Sequence, residues 1–365
     1  LTNSAGAHER EVAWSAKGDR VAWISDASGE EEIYIGDHLR QTAATRVTSD
    51  STTRLYSPLF SPDGSKIAYG DAEARIFVVD SDGRNKRQVA DDPGFPQHDF
   101  SWSPDSRWLA YSMDNPNGYR SLYIWDSKSG KSQRVTDEMF SEYNPVFAPG
   151  GSQLYFLSDR MFAPQIDLLE WNYANNRSTG VYALMLTPTA ENPFAPRNLE
   201  GLPEDEDEDE NKKEDKPDAV TVSIEFDGLA TRVARAPIEF DNFSGLSASG
   251  EHLLFVANTA FFYGRDIEPG AELRAYSLAD REVFTIANKV DEYALAESAI
   301  LVVVAQEGAL SRLDIKKVEQ EAKKVDLDSL AARRVRAVEY AQIFEEVWRR
   351  YRDHFYVRNM HGYDW

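Results

Sequence analysis

The 365-residue sequence contains no cysteine, which excludes disulfide bonds and metal sites built on thiolates. It has no uninterrupted apolar run of about 18 residues, the length that a membrane-spanning helix needs. The first residues, Leu1 to Ser4, lack the charged and apolar pattern of a secretion signal. From these absences we expect neither a structural zinc site nor a membrane partner.

Basic residues are scarce relative to acidic ones. Lysine and arginine together number 40 against 62 aspartates and glutamates, so the net charge is −22. Proteins that bind nucleic acid or anionic membranes need a basic surface to contact phosphates. We therefore expect no nucleic-acid partner.

A turn followed by a strand recurs along the chain. The clearest copies are Phe60–Tyr69 (FSPDGSKIAY) and Trp102–Tyr111 (WSPDSRWLAY). In each, an aromatic residue ends one strand, proline and aspartate or glycine make the turn, and a short apolar run begins the next strand. Looser copies begin at four further residues: Trp14, Phe147, Leu246 and Leu295.

The spacing of the copies predicts the architecture. Copies at positions 14, 60, 102 and 147 are separated by 46, 42 and 45 residues. A repeat of about 40–45 residues is typical of one four-stranded propeller blade. The sequence therefore predicts an all-β fold, a β-propeller over residues 1–320, with six blades visible and seven in the intact domain.

The next interval is about twice as long and indicates an insertion in blade four. Residues 188–219 contain seven consecutive carboxylates, Glu204–Glu210. Like charges repel and no core can form here, so we expect a disordered surface loop. The run lacks the spaced ligands and turn glycine of a calcium loop. Order should return in a strand at Val220–Phe226, where apolar residues alternate with polar ones.

The spacing of apolar residues changes in residues 321–365. These residues are predicted to form a connector and a helix over about Val338–Tyr356, the first element of a separate, truncated domain. Steps of three and four mark its apolar stripe, which we expect to pack on a downstream domain. The members of this stripe are Tyr340, Phe344, Val347, Trp348, Tyr351 and Phe355. The charged residues predicted on the outer side are Glu345, Glu346, Arg349, Arg350 and Arg352. Because Leu1-Thr2 resembles the blade-closing Val47-Thr48, we also expect further protein upstream.

No arrangement for catalysis is visible. The nearest match to a nucleophile elbow, Gly245–Gly250, has one residue too many and lies on a blade turn. The histidines are not paired at metal-binding spacing, and there is no phosphate-binding glycine loop. His354 and His361, seven residues apart, are interpreted as structural or exposed. We therefore predict no catalytic, cofactor-binding or metal-binding residue in this segment, and no cofactor.

The C-terminal residues carry a sharper resemblance. Glu339–Arg349 (EYAQIFEEVWR), followed by Met360–Trp365 (MHGYDW), is similar to the junction between the second propeller and the first catalytic-region domain of the tricorn protease family. The blade-four stretch Phe156–Pro164 and the predicted strand Phe226–Val233 also resemble that family. Tyr340 stands where tryptophan is expected, and the usual preceding proline is absent.

This resemblance implies an ATP-independent serine peptidase that degrades oligopeptides, with its catalytic residues downstream of residue 365. The propeller channel would gate the passage of substrates in or of products out. Implied partners are peptides, the PDZ-like and catalytic domains of the same chain, and further copies in a hexamer. We expect a cytoplasmic protein, with the periplasm as the alternative. One alternative function is a TolB-like propeller that only binds proteins. The propeller of a prolyl-oligopeptidase-type enzyme is another, which the C-terminal helix disfavours.

Overall fold

The computed structural model describes residues 4, 6–39, 41–91, 99–162, 165–166, 173–174, 176–196, 220–260, 270–296, 301–315, 322–328, 330, 335–357 and 359–364. Within these residues the strands form six four-stranded antiparallel sheets and one two-stranded hairpin. Each four-stranded sheet follows the order of a propeller blade, so the predicted β-propeller fold is confirmed. A seventh blade stays a prediction, as does a domain boundary at residue 320.

The chain divides into two compact units, and the first comprises residues 1–143 and 324–365. It contains three blades and the C-terminal helix. Its strands are β1 Glu9–Trp14, β2 Arg20–Ser25, β3 Glu32–Asp37, β4 Thr45–Arg46, β5 Leu55–Phe60, β6 Lys66–Asp71, β7 Arg75–Asp80, β8 Arg87–Asp91, β9 Phe100–Trp102, β10 Trp108–Asp114, β11 Arg120–Asp126 and β12 Lys131–Arg134. The helix is α1, Arg336–His354, followed by a 3-10 turn at Met360–Gly362.

The second unit comprises residues 144–323 and begins inside β13. Its strands are β13 Ser141–Phe147, β14 Gln153–Asp159, β15 Gln165–Ile166, β16 Tyr173–Ala174, β17 Thr179–Met185, β18 Val233–Arg235, β19 Asn242–Ala248, β20 His252–Asn258, β21 Glu272–Ser277, β22 Val283–Asn288, β23 Glu292–Leu295, β24 Leu301–Gln306, β25 Ala309–Asp314 and β26 Lys323–Lys324. Blade four is β13, β14, β17 and β18, and β15 pairs with β16 in a separate hairpin.

Apolar residues on both faces of the blades build the core. One cluster joins Ile24 and Ile33 of the first blade to Phe60 and Tyr69 of the second. A similar cluster joins the second blade to the third around Trp102. The anchor aromatics Phe60 and Trp102 therefore lie between successive blades, and burying large rings in this way stabilises the blade stack.

The repeated turn is held by its own side chains. Ser61 Oγ donates to Asp63 Oδ1 at 2.6 Å, and Ser103 Oγ makes the same bond to Asp105 at 2.5 Å. Gly64 has a φ of 71°, a left-handed conformation that favours glycine. The spacing of the FSPDG motif thus encodes a closed local turn, and the predicted turn–strand units are confirmed.

Two sequence predictions are corrected. Val220–Phe226 forms no strand, although its burial alternates: Val222 is 2% exposed while its neighbours are open. The outer strand of blade four is instead β18, after a 3-10 turn at Leu229–Thr231. The strand predicted at Phe226–Val233 is interrupted by that 3-10 turn. The outer strand of blade six is β26. The acidic run 204–210 falls outside the described residues.

Candidate functional site at the docked helix

Helix α1 lies against the first blade and the start of the second through its polar side. It begins two residues before the predicted Val338 and ends at His354. We define its polar stripe as Gln342, Glu346, Arg349, Arg352 and Asp353. These residues recur at steps of three and four, so they share one helix face. Arg349 is 8% exposed and is the buried residue of the helix.

The apolar side of the same helix faces away from the blades. In the structure we define the apolar stripe as Tyr340, Ile343, Phe344, Val347 and Tyr351, whose exposed fractions are 66, 46, 70, 48 and 57%. Two members of the predicted stripe, Trp348 and Phe355, are half-buried and do not belong to it. The prediction that Glu346, Arg349 and Arg352 lie on the outer side is therefore wrong. The interior of the blades is already filled, and the helix meets a charged edge of the blades instead of an apolar one.

That charged edge is the turn between β2 and β3, Asp26–Glu31, which we call the acidic turn. Arg349 forms a salt bridge with Asp26 and donates from Nη1 to the carbonyl oxygen of Gly29 at 2.7 Å. Arg352 donates from Nη1 and Nη2 to the two oxygens of Glu30 at 2.8 and 2.9 Å. A two-pronged pair of this kind fixes orientation as well as adding attraction. The turn closes at Gly29, whose φ is 100°.

The acidic members of the polar stripe meet basic groups on the blades. Asp353, whose side chain is 4% exposed, accepts a hydrogen bond from the backbone N–H of Arg54 at 2.9 Å. Glu346 lies 3.1 Å from Nδ1 of His8 and 3.7 Å from the Arg54 guanidinium. Each charged group of the polar stripe therefore meets either an opposite charge or a hydrogen-bond donor on the blades. A shift of the helix along its axis would bring like charges together.

Tyr56 of β5 extends the contact toward the end of the helix. The guanidinium groups of Arg10 and Arg54 lie 5.4 and 5.6 Å from the centre of its ring. Its hydroxyl is 3.5 Å from Nε2 of His354. Burial raises the pKa of Tyr56, so the ring presents a neutral hydroxyl to the helix. His354 is therefore in contact with the second blade.

The surroundings shift two titrations within the contact. Partial burial would raise the pKa of Glu346, but hydrogen bonds from Arg350 and Gln342 and the nearby charge of His8 outweigh it and bring the pKa to about 2. The hydrogen bond to Glu30 raises the pKa of Arg352. Both groups therefore stay charged across the whole neutral range.

The rejected nucleophile elbow has a structural role. Ser249 Oγ accepts a hydrogen bond from the backbone N–H of His252 at 2.8 Å, which closes the turn before β20. Ser247 Oγ accepts from the Tyr293 hydroxyl at 2.9 Å. His361 lies beside Tyr356, 2.5 Å from its hydroxyl. Among the described residues no group of histidines and carboxylates could hold a metal ion, and no helix is long and apolar enough to cross a membrane.

Sequence reasoning missed the polar stripe as the docking face. A signal was present, because Gln342, Glu346, Arg349 and Asp353 follow the helical period as closely as the apolar residues do. The acidic turn (DASGEE) supplies the opposite charge for the two arginines. Pairing them required knowing that residues 26 and 349 meet in space.

Comparisons with known proteins also separate the blades from the C-terminal helix. The sequence matches the family descriptions "Tricorn protease second beta propeller domain" over residues 1–316 and "Tricorn protease C1 domain" over residues 336–365. It is 27% identical over 364 residues to "Tricorn protease homolog 1" of Streptomyces coelicolor, covering 94% of this chain and 34% of that protein. The chain thus spans about a third of the length of that relative.

Solved structures agree on the fold. The crystal structure of the tricorn protease superposes with a TM-score of 0.79 at 18% identity, covering 97% of this chain and 34% of that one. TolB from Acinetobacter baumannii gives a TM-score of 0.50 at 14% identity, covering 89% of this chain and 66% of that one. At such identities these likenesses support the fold alone.

Proposed function

The chain belongs to the tricorn protease family, and we propose that it is the non-catalytic propeller part of a serine peptidase that cleaves oligopeptides. One observation carries the proposal. Helix α1, which starts where the C1-domain match starts, is seated on the blades by the Arg349–Asp26 and Arg352–Glu30 contacts. A propeller that bound proteins only would not need a helix of a C1 domain seated on its blades.

In this proposal the propeller controls the passage of peptides to or from a catalytic centre in the following domains. The serine type rests on the family resemblance, as do a PDZ-like region downstream, assembly into a hexamer and a cytoplasmic location. Size measurement by light scattering tests the hexamer. Fractionation of cells tests the location, and recovery from the periplasm would contradict it.

The direct test compares two proteins with fluorogenic tri- and tetrapeptides. The protein extended beyond residue 365 through its C1 and later domains should hydrolyse them and lose activity after treatment with a serine-reactive fluorophosphonate. Residues 1–365 alone should show no turnover above buffer, because no nucleophile–base pair was found in the sequence. Loss of activity in the extended protein on mutating a serine within 1–365 would contradict the assignment.

The exposed apolar stripe also has an expected occupant, the remainder of the C1 domain. Five large apolar side chains in one row form a patch of the kind that marks an interface. The C1 match begins at residue 336, so the stripe belongs to a domain of which these residues are one part. In this arrangement the helix binds the propeller with its polar face and the peptidase region with its apolar face.

The binding-module alternative is supported by the likeness to TolB. It predicts that the extended protein hydrolyses no peptide and that the stripe stays open in it. Hydrogen exchange on α1 separates the two functions. Slower exchange in the extended protein than in residues 1–365 supports the peptidase, and equal exchange supports the binding module.

A further inference from the structure

The contact between α1 and the blades is built from charge, although the helix has an apolar side available. Of the apolar stripe, every member is at least 46% exposed, while the Asp353 and Arg349 side chains are 4 and 9% exposed. An apolar contact adheres wherever surfaces fit, whereas ion pairs require matched positions. The contact therefore fixes the position of the helix more than it strengthens its binding to the blades.

The pairs are arranged to set both the position and the rotation of the helix. Arg349 and Arg352 reach the acidic turn, while Glu346 faces His8 and Arg54 of the neighbouring strands. The Arg349–Asp26 pair is nearly closed to solvent, but Arg352 and Glu30 keep 25 and 35% of their side-chain surface open. Water and salt can therefore reach the outer pair and weaken it.

We infer that the acidic turn is a charge-specific docking surface for α1 and that the contact is a releasable latch between the propeller and the domain that α1 begins. Desolvating Asp26 and Arg349 offsets much of the attraction between them, so the contact stabilises the docked helix less than its number of ion pairs suggests. The helix has an apolar side with which it can remain on the C1 domain when the latch opens. This inference does not depend on the proposed peptidase activity.

Charge exchange at the outer pair provides the test in the 365-residue chain. Arg352→Glu or Glu30→Arg alone places like charges opposite one another and should speed amide hydrogen exchange over residues 338–354 about tenfold or more. The double variant, Glu30→Arg with Arg352→Glu, restores opposite charges. It should return the exchange to within about threefold of the original rate.

A matched control carries the same charge change elsewhere in the same unit. Arg84 pairs with Asp82 at a turn, and their side chains are 80 and 48% exposed. Arg84→Glu should leave exchange in the helix unchanged. Raising sodium chloride from about 0.05 to 1 M should speed exchange in α1 more than in β2 and β3, because the Debye length shrinks to about 3 Å.

The latch is overturned if Arg352→Glu exchanges no faster than Arg84→Glu, or if the double variant recovers none of the protection. If a charge reversal also removes protection from the blades, the neutral changes Arg352→Gln and Glu30→Gln replace it. Those variants should speed helix exchange several-fold with the blade strands still protected. Exchange equal to that of the unaltered chain would overturn the inference as well.

Discussion

Replacing Arg349 by methionine should release α1 without unfolding the blades. The change keeps a long, unbranched side chain but removes the salt bridge to Asp26 and the 2.7 Å bond to the carbonyl of Gly29. Asp26 is 9% exposed and would lose the guanidinium that faces it. Breaking a buried ion pair by removing one partner costs about 3–5 kcal/mol.

The structure argues for a value below that range. Asp26 keeps two further donors, the backbone N–H of His8 at 2.6 Å and Nε2 of Gln342 at 3.2 Å. We therefore expect Arg349→Met to weaken docking of the helix by about 2–3 kcal/mol and to leave the stability of the blades unchanged. An undocked 19-residue helix is marginal by itself and should fray. Amide exchange over 338–354 should rise about 30- to 150-fold.

Hydrogen exchange read by mass spectrometry measures this directly, with Arg350→Met as the control. Arg350 is 49% exposed, and its carboxylate partner Glu346 lies on the same helix, so its loss should cost under about 0.5 kcal/mol. Equal exchange in the two variants would refute the assignment of Arg349 to the docking face. Loss of protection in β2 and β3 as well would show that the helix and blades unfold together.

Three further predictions concern other parts of the molecule. The pKa of Glu346 is held near 2 in the folded chain and is about 4.5 when unfolded, so its contribution to stability is complete above pH 4.5 and is lost as the pH falls toward 2. Exchange or NMR titration should show α1 protection falling over that range, and Glu346→Gln should make the fall smaller because only the other carboxylates of the contact then remain to be protonated. Phe344 is 70% exposed, so Phe344→Ser should leave the melting temperature of residues 1–365 unchanged. In the protein extended through its C1 domain the same change should lower the protection of the helix from exchange. A lower melting temperature of residues 1–365 would contradict the exposure of the stripe. Replacing residues 203–217 with a short Gly/Ser linker should leave the melting temperature within about 2 °C, whereas a fall of more than about 5 °C would show that this run packs.

Local pattern was sufficient for the blades because each is built from contacts close in sequence. The turn at Ser61–Asp63 is bonded within itself, and β6 pairs with strands directly before and after it. A motif that repeats at 42 to 46 residues therefore carries turn, strand and blade together. The segment at Val220–Phe226 marks the limit of such patterns. Alternation of apolar and polar residues indicates that one side of a segment is buried. A strand also needs a neighbouring strand whose edge is free to pair with it.

The two faces of α1 show what only the tertiary structure decided. Residue spacing alone predicted the helix within two residues at either end. It could not rank the polar stripe against the apolar stripe, since both follow the same period of about 3.6 residues. The choice depends on the acidic turn some 320 residues away in sequence, which only the folded chain brings against Arg349. Helical period is a local property of the chain, whereas the face that docks is set by the charge of whatever surface the fold brings opposite it.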